Sequence, residues 1–143
     1  MSTEANKALI LEVFEEVWNQ GNLARIDDLF APEYVRHGVA ADLPLGPAGE
    51  KQHRTAFRQA FPDLVIAAEE MIAEGDRVAV RYTWCGTYQG TWPGIPEAGI
   101  PVTMTGIGIH RVVTGKITDL WVVGDELGLM RQLGVVRTSA YLL

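Results

Sequence analysis

The spacing of apolar side chains changes period about halfway along the chain. In the first half, apolar residues recur at helical spacing, which predicts an amphipathic helix over residues 3–20 and further helices over residues 23–30 and 48–61. Residues 33–37 have the pattern of an extended segment, and residues 38–46 that of a loop. The N-terminal half is therefore predicted to be mainly helical.

From residue 64 onward, apolar and polar residues alternate with the period of two that is typical of β-strands. This predicts one hairpin from strands over residues 64–73 and 77–88, and a second from strands over residues 101–113 and 116–124. A short helix over residues 126–133 and a tail complete the chain. Helices followed by long antiparallel strands predict an α+β fold, in which a curved, mostly antiparallel sheet wraps around N-terminal helices to form a cone with an internal pocket.

Length and composition narrow the functional classes. The 143 residues predict a single domain, residues 1–143. The net charge of −6, without a run of like charges, argues against a nucleic-acid partner. No apolar stretch reaches the ~18 residues of a membrane span, and the N-terminus lacks the pattern of a signal peptide, so we expect a cytoplasmic protein without a membrane partner.

The second predicted hairpin carries the candidate chemistry. Strand alternation places Gly106, Gly108 and His110 on one face of its first strand, and Trp121 and Asp125 on one face of its second. If these two faces coincide, an imidazole and a carboxylate point into one apolar space. A carboxylate in such a space has a raised pKa and can transfer protons near neutral pH. Asp125 and His110 are therefore the candidate catalytic residues.

Several short motifs follow one another in an order that nearly spans the chain. They are Trp18-Asn19-Gln20-Gly21-Asn22, Ala60-Phe61-Pro62-Asp63-Leu64, Gly86-Thr87-Tyr88-Gln89-Gly90, Gly94-Ile95-Pro96, Gly115-Lys116-Ile117 and Leu129-Met130-Arg131-Gln132-Leu133-Gly134. The ordered set resembles the SnoaL-like polyketide cyclases, within the nuclear-transport-factor-2-like superfamily. No single motif is specific for activity.

The resemblance implies an activity and a catalytic residue. In the cyclases, an intramolecular aldol condensation closes the last ring of an aromatic polyketide ester without metal, cofactor or covalent intermediate. One aspartate acts as general acid and base, and Asp125 occupies its position. The family's histidine on the preceding strand falls on Gly108, and His110 lies one inward-facing step further along. The chain departs from the family pattern at this point.

We expect an apolar, aromatic polyketide-like substrate, because aromatic side chains suit a flat polycyclic ligand. The candidate substrate-binding residues are Tyr34, His37, Arg81, Trp84, Trp92, Met104 and Trp121. Trp92 lies in a Gly/Pro-rich loop that could cover the pocket, and either Arg81 or Tyr82 faces inward. His53 is expected on a solvated helix face, and the three histidines lack metal-ligand spacing, so no metal is expected.

Other interpretations stay open. Asp125 could simply cap the helix that follows it. An epoxide hydrolase would use a set such as Arg81, Asp119 and Asp125, a ketosteroid-type isomerase would need a tyrosine and a protonated acid, and a non-catalytic binding module would need none of them. We also expect a homodimer or higher homo-oligomer, because one face of such a sheet is left without helices to cover it.

Overall fold

The computed structural model describes residues 2–38 and 43–136, which form helices on one face of a five-stranded sheet. The predicted loop residues 39–42 and tail residues 137–143 lie outside the described residues. In chain order the elements are α1 (Thr3–Glu12), a π-helical segment (Val13–Asn19), α2 (Arg25–Leu29), β1 (Phe30–His37), α3 (Pro47–Ala60), β2 (Val65–Glu74), β3 (Arg77–Tyr88), β4 (Ile100–Val113), β5 (Lys116–Gly124) and α4 (Glu126–Gln132).

The sheet is curled but not closed, with the strand order β1-β5-β4-β3-β2. β1 pairs with β5 in parallel, and every other neighbouring pair is antiparallel. The two predicted hairpins are β2–β3 and β4–β5. The predicted α+β fold, with a curved sheet around N-terminal helices, is confirmed.

The N-terminal helix runs across the concave side of the sheet. Ser2 caps it, because its Oγ accepts a hydrogen bond from the Ala5 N–H at 3.1 Å. The helix then continues as the π-helical segment, which ends at Asn19. The Asn19 side chain accepts from Ile66 N–H at 2.8 Å and donates to Ile66 O at 3.1 Å, so it ties the end of the segment to β2. This arrangement holds Phe14 and Trp18 over the sheet.

The second helix is shorter than predicted. The prediction places residue 30 in the helix, but Phe30 begins β1, and Pro32 lies inside that strand. β1 is an edge strand, and its register with β5 shifts between Phe30 and Val35. Because proline cannot donate to a strand ladder, an irregular edge strand is where a sheet tolerates it.

The hydrophobic core lies between the helices and the concave face of the sheet. Val78 and Val80 are completely buried there, whereas Ile107 and Ile109 of the neighbouring strand are exposed on the convex face. We call these two surfaces the inner face and the outer face. None of the helices in the described part of the chain is long and apolar enough to span a bilayer.

Candidate active site

A cavity of about 260 Å³ opens between the inner face and the helices; we call it the inner cavity. Most of its lining is apolar. The apolar side chains are Phe14, Trp18, Phe57, Ile66, Trp84, Met104, Leu120 and Val122. The polar and glycine residues that complete the lining are Arg36, His53, Arg54, Tyr82, Gly108, His110, Gly124 and Glu126. An enclosed apolar space with a few converging polar groups is the usual form of a small-molecule site.

Glycine at position 106 leaves room for a tyrosine beside the cavity. A Cβ placed on Gly106 would lie 2.3 Å from the Tyr82 hydroxyl oxygen, which is closer than any real contact. A Cβ on Gly124, opposite it on β5, would lie 2.7 Å from Cε of Met104. These glycines therefore let Tyr82 and Met104 lie flat against the inner face.

One end of the inner cavity is built around a buried carboxylate. Glu50 of α3 is 1% exposed, and its Oε1 accepts hydrogen bonds from the Tyr34 hydroxyl at 2.6 Å and from Arg36 Nη1 at 2.9 Å. Its Oε2 forms an ion pair with Arg54 Nη2 at 2.9 Å. The Arg54 guanidinium also stacks 3.7 Å from the ring centre of Trp18. We call Tyr34, Arg36, Glu50 and Arg54 the arginine cluster.

The arginine cluster holds one more positive than negative charge at neutral pH. Burial opposes ionisation of Glu50, but Arg54 and Arg36 outweigh it and lower the pKa of Glu50 to about 2. Burial lowers the pKa of Arg54 to about 10, which still leaves it protonated. Burial and the nearby Glu50 raise the pKa of Tyr34, so the phenol stays neutral. Two guanidinium groups thus face a single carboxylate.

Two histidines beside the arginine cluster are uncharged at neutral pH. Burial, and then the charge of Arg54, lowers the pKa of His110 to about 4. Burial, and then the charge of Arg36, lowers the pKa of His53 to about 3. Within the described part of the chain, neither Nδ1 atom has a hydrogen-bond partner. A neutral imidazole has one donor and one acceptor nitrogen.

The condition that the β4 face with His110 coincides with the β5 face with Trp121 is not met. His110 pairs with Leu120 across the β4–β5 ladder, and Trp121 pairs with Ile109. Directly paired residues point to the same side of a sheet, so Trp121 lies on the outer face while His110 faces the inner cavity. A shift of one residue in register is enough to separate them.

Asp125 lies just beyond the end of β5, where strand alternation no longer fixes its direction. Its Oδ1 accepts a hydrogen bond from Gly128 N–H at 2.9 Å, so it caps α4 and is exposed. The residues on either side of it, Gly124 and Glu126, line the inner cavity. Asp125 therefore stands at the rim of the cavity, with its carboxylate on the helix end.

Two of the seven predicted substrate-binding residues line the inner cavity, and the other five do not. Trp84 and Met104 line the inner cavity. Tyr34 is buried behind it, on Glu50. Trp92 packs against other aromatic rings, among them Phe61 at 5.3 Å between centroids, and does not line the cavity.

The remaining three predicted residues lie outside the inner cavity. His37 stacks on Trp121 at 4.6 Å between ring centroids, and its Nε2 lies 2.9 Å from Oδ1 of Asp119. Arg81 is on the outer face, 3.8 Å from Glu70. Tyr82, rather than Arg81, is the residue of that pair which faces inward. These positions follow from strand parity, which a sequence cannot fix without the register.

Sequence reasoning missed the polar residues of α3. His53 was expected on a solvated face, but it is half-buried against Phe57, with 4.8 Å between ring centroids, and lines the cavity. The signal was present: Glu50, His53, Arg54 and Phe57 recur at spacings of three and four, the positions that share one helix face. Because Glu50 and Arg54 are charged and His53 is polar, the face resembles a solvated one.

Among residues 2–38 and 43–136, no three His, Cys, Asp or Glu side chains come together as a metal site would require. The hydrogen-bonding groups that face the inner cavity suit an organic ligand. They are cationic or neutral donors at the arginine cluster, with aromatic rings around them.

The chain is similar to a known protein family and to several solved structures. The model of the SnoaL-like polyketide cyclase family matches residues 8–133. Among solved structures, TsrD from Streptomyces laurentii superposes with a TM-score of 0.85 at 26% identity, covering 95% of this chain and 99% of that one. AclR from Streptomyces galilaeus, a proposed hydroxylase, gives 0.83 at 31% identity, covering 95% and 100%.

A third structure is IdmH from Streptomyces antibioticus, a proposed polyketide cyclase. It superposes with a TM-score of 0.78 at 29% identity, covering 91% of this chain and 99% of that one. No curated protein sequence matches the chain at a significant level.

Proposed function

The chain belongs to the SnoaL-like polyketide cyclase family, and we propose that it catalyses an intramolecular aldol condensation of an apolar polycarbonyl compound, without a cofactor. The observation that carries the proposal is the inner cavity itself. Its wall is mainly apolar, and neutral histidines and guanidinium donors face it. Its rim includes Gly124 and Glu126, the residues on either side of Asp125.

In the proposed reaction, Asp125 removes a proton from a carbon that lies between two carbonyl groups. The carbanion electrons delocalise into an enolate, which attacks a second carbonyl of the same molecule. A carbon–carbon bond forms, and the carbonyl π electrons become an alkoxide. Asp125 then returns the proton to that alkoxide. A positioned acid or base contributes roughly 10²–10⁴-fold to such a step.

Asp125 has to leave the helix end to act. Its neighbours Gly124 and Glu126 line the inner cavity, and rotation of its side chain away from Gly128 N–H is the motion that the proposal requires. Asp125 is an acid/base candidate by the family resemblance and by this position at the rim.

His110 is the proposed oxyanion donor. It is 6% exposed, faces the inner cavity and is neutral, so it has one ring N–H, and this is the donor that the proposal assigns to a developing enolate or alkoxide oxygen. A donor that is fixed before the reaction stabilises charge that develops in the transition state. His110 also lies one inward-facing step from Gly108, the position of the family's histidine.

The alternative of epoxide hydrolysis loses its support. Arg81 lies on the outer face beside Glu70, and Asp119 is paired with His37. These two residues and Asp125 therefore do not converge on one ligand.

The test is the turnover of a β-dicarbonyl substrate by Asp125→Asn. Asparagine keeps the helix cap, so the protein should fold as before. We expect turnover to fall by about 10²–10⁴-fold while the affinity for an unreactive analogue is unchanged. The matched control is Asp119→Asn, which removes a carboxylate outside the cavity and should leave turnover unaltered. Full activity of Asp125→Asn would rule out the acid/base role of Asp125, whereas binding without turnover by the wild type would favour a non-catalytic binding module.

A further inference from the structure

We propose that the inner cavity binds molecules through an anionic group with two planar oxygens, a carboxylate or an ionised β-dicarbonyl, placed against Arg54 and Arg36. The inference deepens the proposed function, on which it rests for the view that the cavity receives the substrate. It replaces the expected neutral ester at the buried end of the ligand with an acid.

The two guanidinium groups beside the cavity share one acidic partner. Glu50 is the only acidic side chain within hydrogen-bonding distance of either guanidinium in the described residues, and it is shared by both. Glu126 also lines the cavity, but it is exposed to solvent, which screens its charge. Buried charges are normally paired, and one positive charge here is not.

The two guanidinium groups also keep donors that Glu50 does not use. Both side chains line the cavity, and Arg54 is 5% exposed. Within the described part of the chain, Glu50 contacts Nη1 of Arg36 and Nη2 of Arg54, which leaves the second Nη group of each for a ligand. A guanidinium fork matches a two-oxygen anion better than a single neutral carbonyl.

Stacking on Trp18 accounts for only part of the environment of Arg54. The ring covers one face of the guanidinium at 3.7 Å and leaves its in-plane N–H groups to other partners. The rest of the cavity wall is aromatic and aliphatic, including Phe57 and Trp84. The ligand that suits this site has a flat apolar ring system with the anion at one end.

The test is equilibrium binding of two nearly isosteric probes to the wild-type protein. Naphthoate carries the anion, and acetylnaphthalene replaces it with a neutral methyl ketone. We expect naphthoate to bind about tenfold more tightly or better, since hydrogen bonds to a charged group exceed neutral ones by about that factor. The advantage should shrink as salt is added. Equal affinities in the wild type would overturn the proposal, without any variant having to fold.

Substitutions distinguish the effect of the arginine charge on binding from the effect of side-chain packing. Arg54→Met should remove the preference for naphthoate and leave acetylnaphthalene affinity nearly unchanged, whereas Arg111→Met on the outer face should alter neither. Glu50→Gln should strengthen naphthoate binding, a direction that loss of structure would not produce. An Arg54→Met protein that keeps the preference for naphthoate would contradict the assignment.

A naphthyl β-diketone, measured on both sides of its own ionisation, distinguishes the two sources of the anion. Tighter binding of the ionised form assigns an enolate-like ligand, and equal binding of both forms beside strong naphthoate binding assigns a carboxylate. Naphthoate and acetylnaphthalene have no proton between two carbonyl groups, so the comparison of these two probes is independent of Asp125. If naphthoate shows no advantage over acetylnaphthalene, the acid/base proposal is unaffected, because turnover by Asp125→Asn tests it separately.

Discussion

Residues of the same kinds are buried on the inner face of the sheet and exposed on its outer face. On the inner face, His110 is 6% exposed and uncharged, and Glu50 of the overlying α3 is buried between two arginines. On the outer face, Ile107 is 56% exposed, and Arg81 and Glu70 form a loose pair in solvent. Alternate residues of the same strands supply both faces.

The difference between the faces is one of solvent. Charges on the outer face keep their hydration, so their pairing contributes little to stability. Charges beside the inner cavity have lost water, so each one depends on its partner. Substitution of an ionisable residue beside the inner cavity is therefore expected to change stability more than a matched substitution on the outer face.

The largest loss of stability is expected from removing the buried carboxylate of Glu50. Glu50→Ala leaves Arg36 and Arg54 facing each other without an anion, and we expect it to lower the free energy of unfolding by about 3–5 kcal/mol. Glu70→Ala, the outer-face control, should lower it by about 0–1 kcal/mol. Urea denaturation of both variants measures the difference. Similar losses would show that Glu50 is not the structural centre of the cluster.

A smaller loss is expected from closing the gap beneath Tyr82. Gly106→Ala places a methyl group where the Tyr82 hydroxyl lies, and displacing this buried ring should cost about 1–3 kcal/mol. Thr105→Ala, one residue earlier and exposed, should stay within about 0.5 kcal/mol of the wild type. Thermal unfolding followed by circular dichroism compares them. If Gly106→Ala is neutral, the contact with Tyr82 is not tight.

The dependence of stability on pH should reveal the buried histidines. The pKa of His110 falls from 6.5 to about 4 on folding, so below pH 6.5 the unfolded state binds more protons than the native one. Stability is therefore complete above pH 6.5 and is lost as the pH falls towards 4. His110→Gln should lose less stability over this range than the wild type does. Melting temperatures across the range test it; identical slopes would mean that His110 is already protonated in the native state.

The smallest effect on the protomer is expected on the outer face. Val123 is 78% exposed, so Val123→Lys should change the stability of the protomer by less than about 0.5 kcal/mol. If the outer face joins two copies, as the expected homodimer requires, the same change should lower the mass found by light scattering. A monomeric wild type would end the dimer prediction.

Strong local patterns made much of the fold predictable. The period of two in residues 64–124 identified both hairpins, and residues 126–133 contained α4, because each signal is carried by neighbouring residues. β1 was predicted too short, since its pairing with β5 depends on residues more than eighty positions away. His110, Trp84 and Met104 line the inner cavity, and their roles in binding or catalysis stay predictions.

The sequence by itself determined the α+β class, the order of the elements and the family. These follow from local periodicity and from short motifs that survive in any register. Only the tertiary structure decided that Trp121, Arg81 and His37 lie away from the cavity, and that Glu50, His53, Arg54 and Arg36 meet beside it. The physical reason is that side-chain direction depends on strand register and helix orientation, and both are set by contacts between distant parts of the chain.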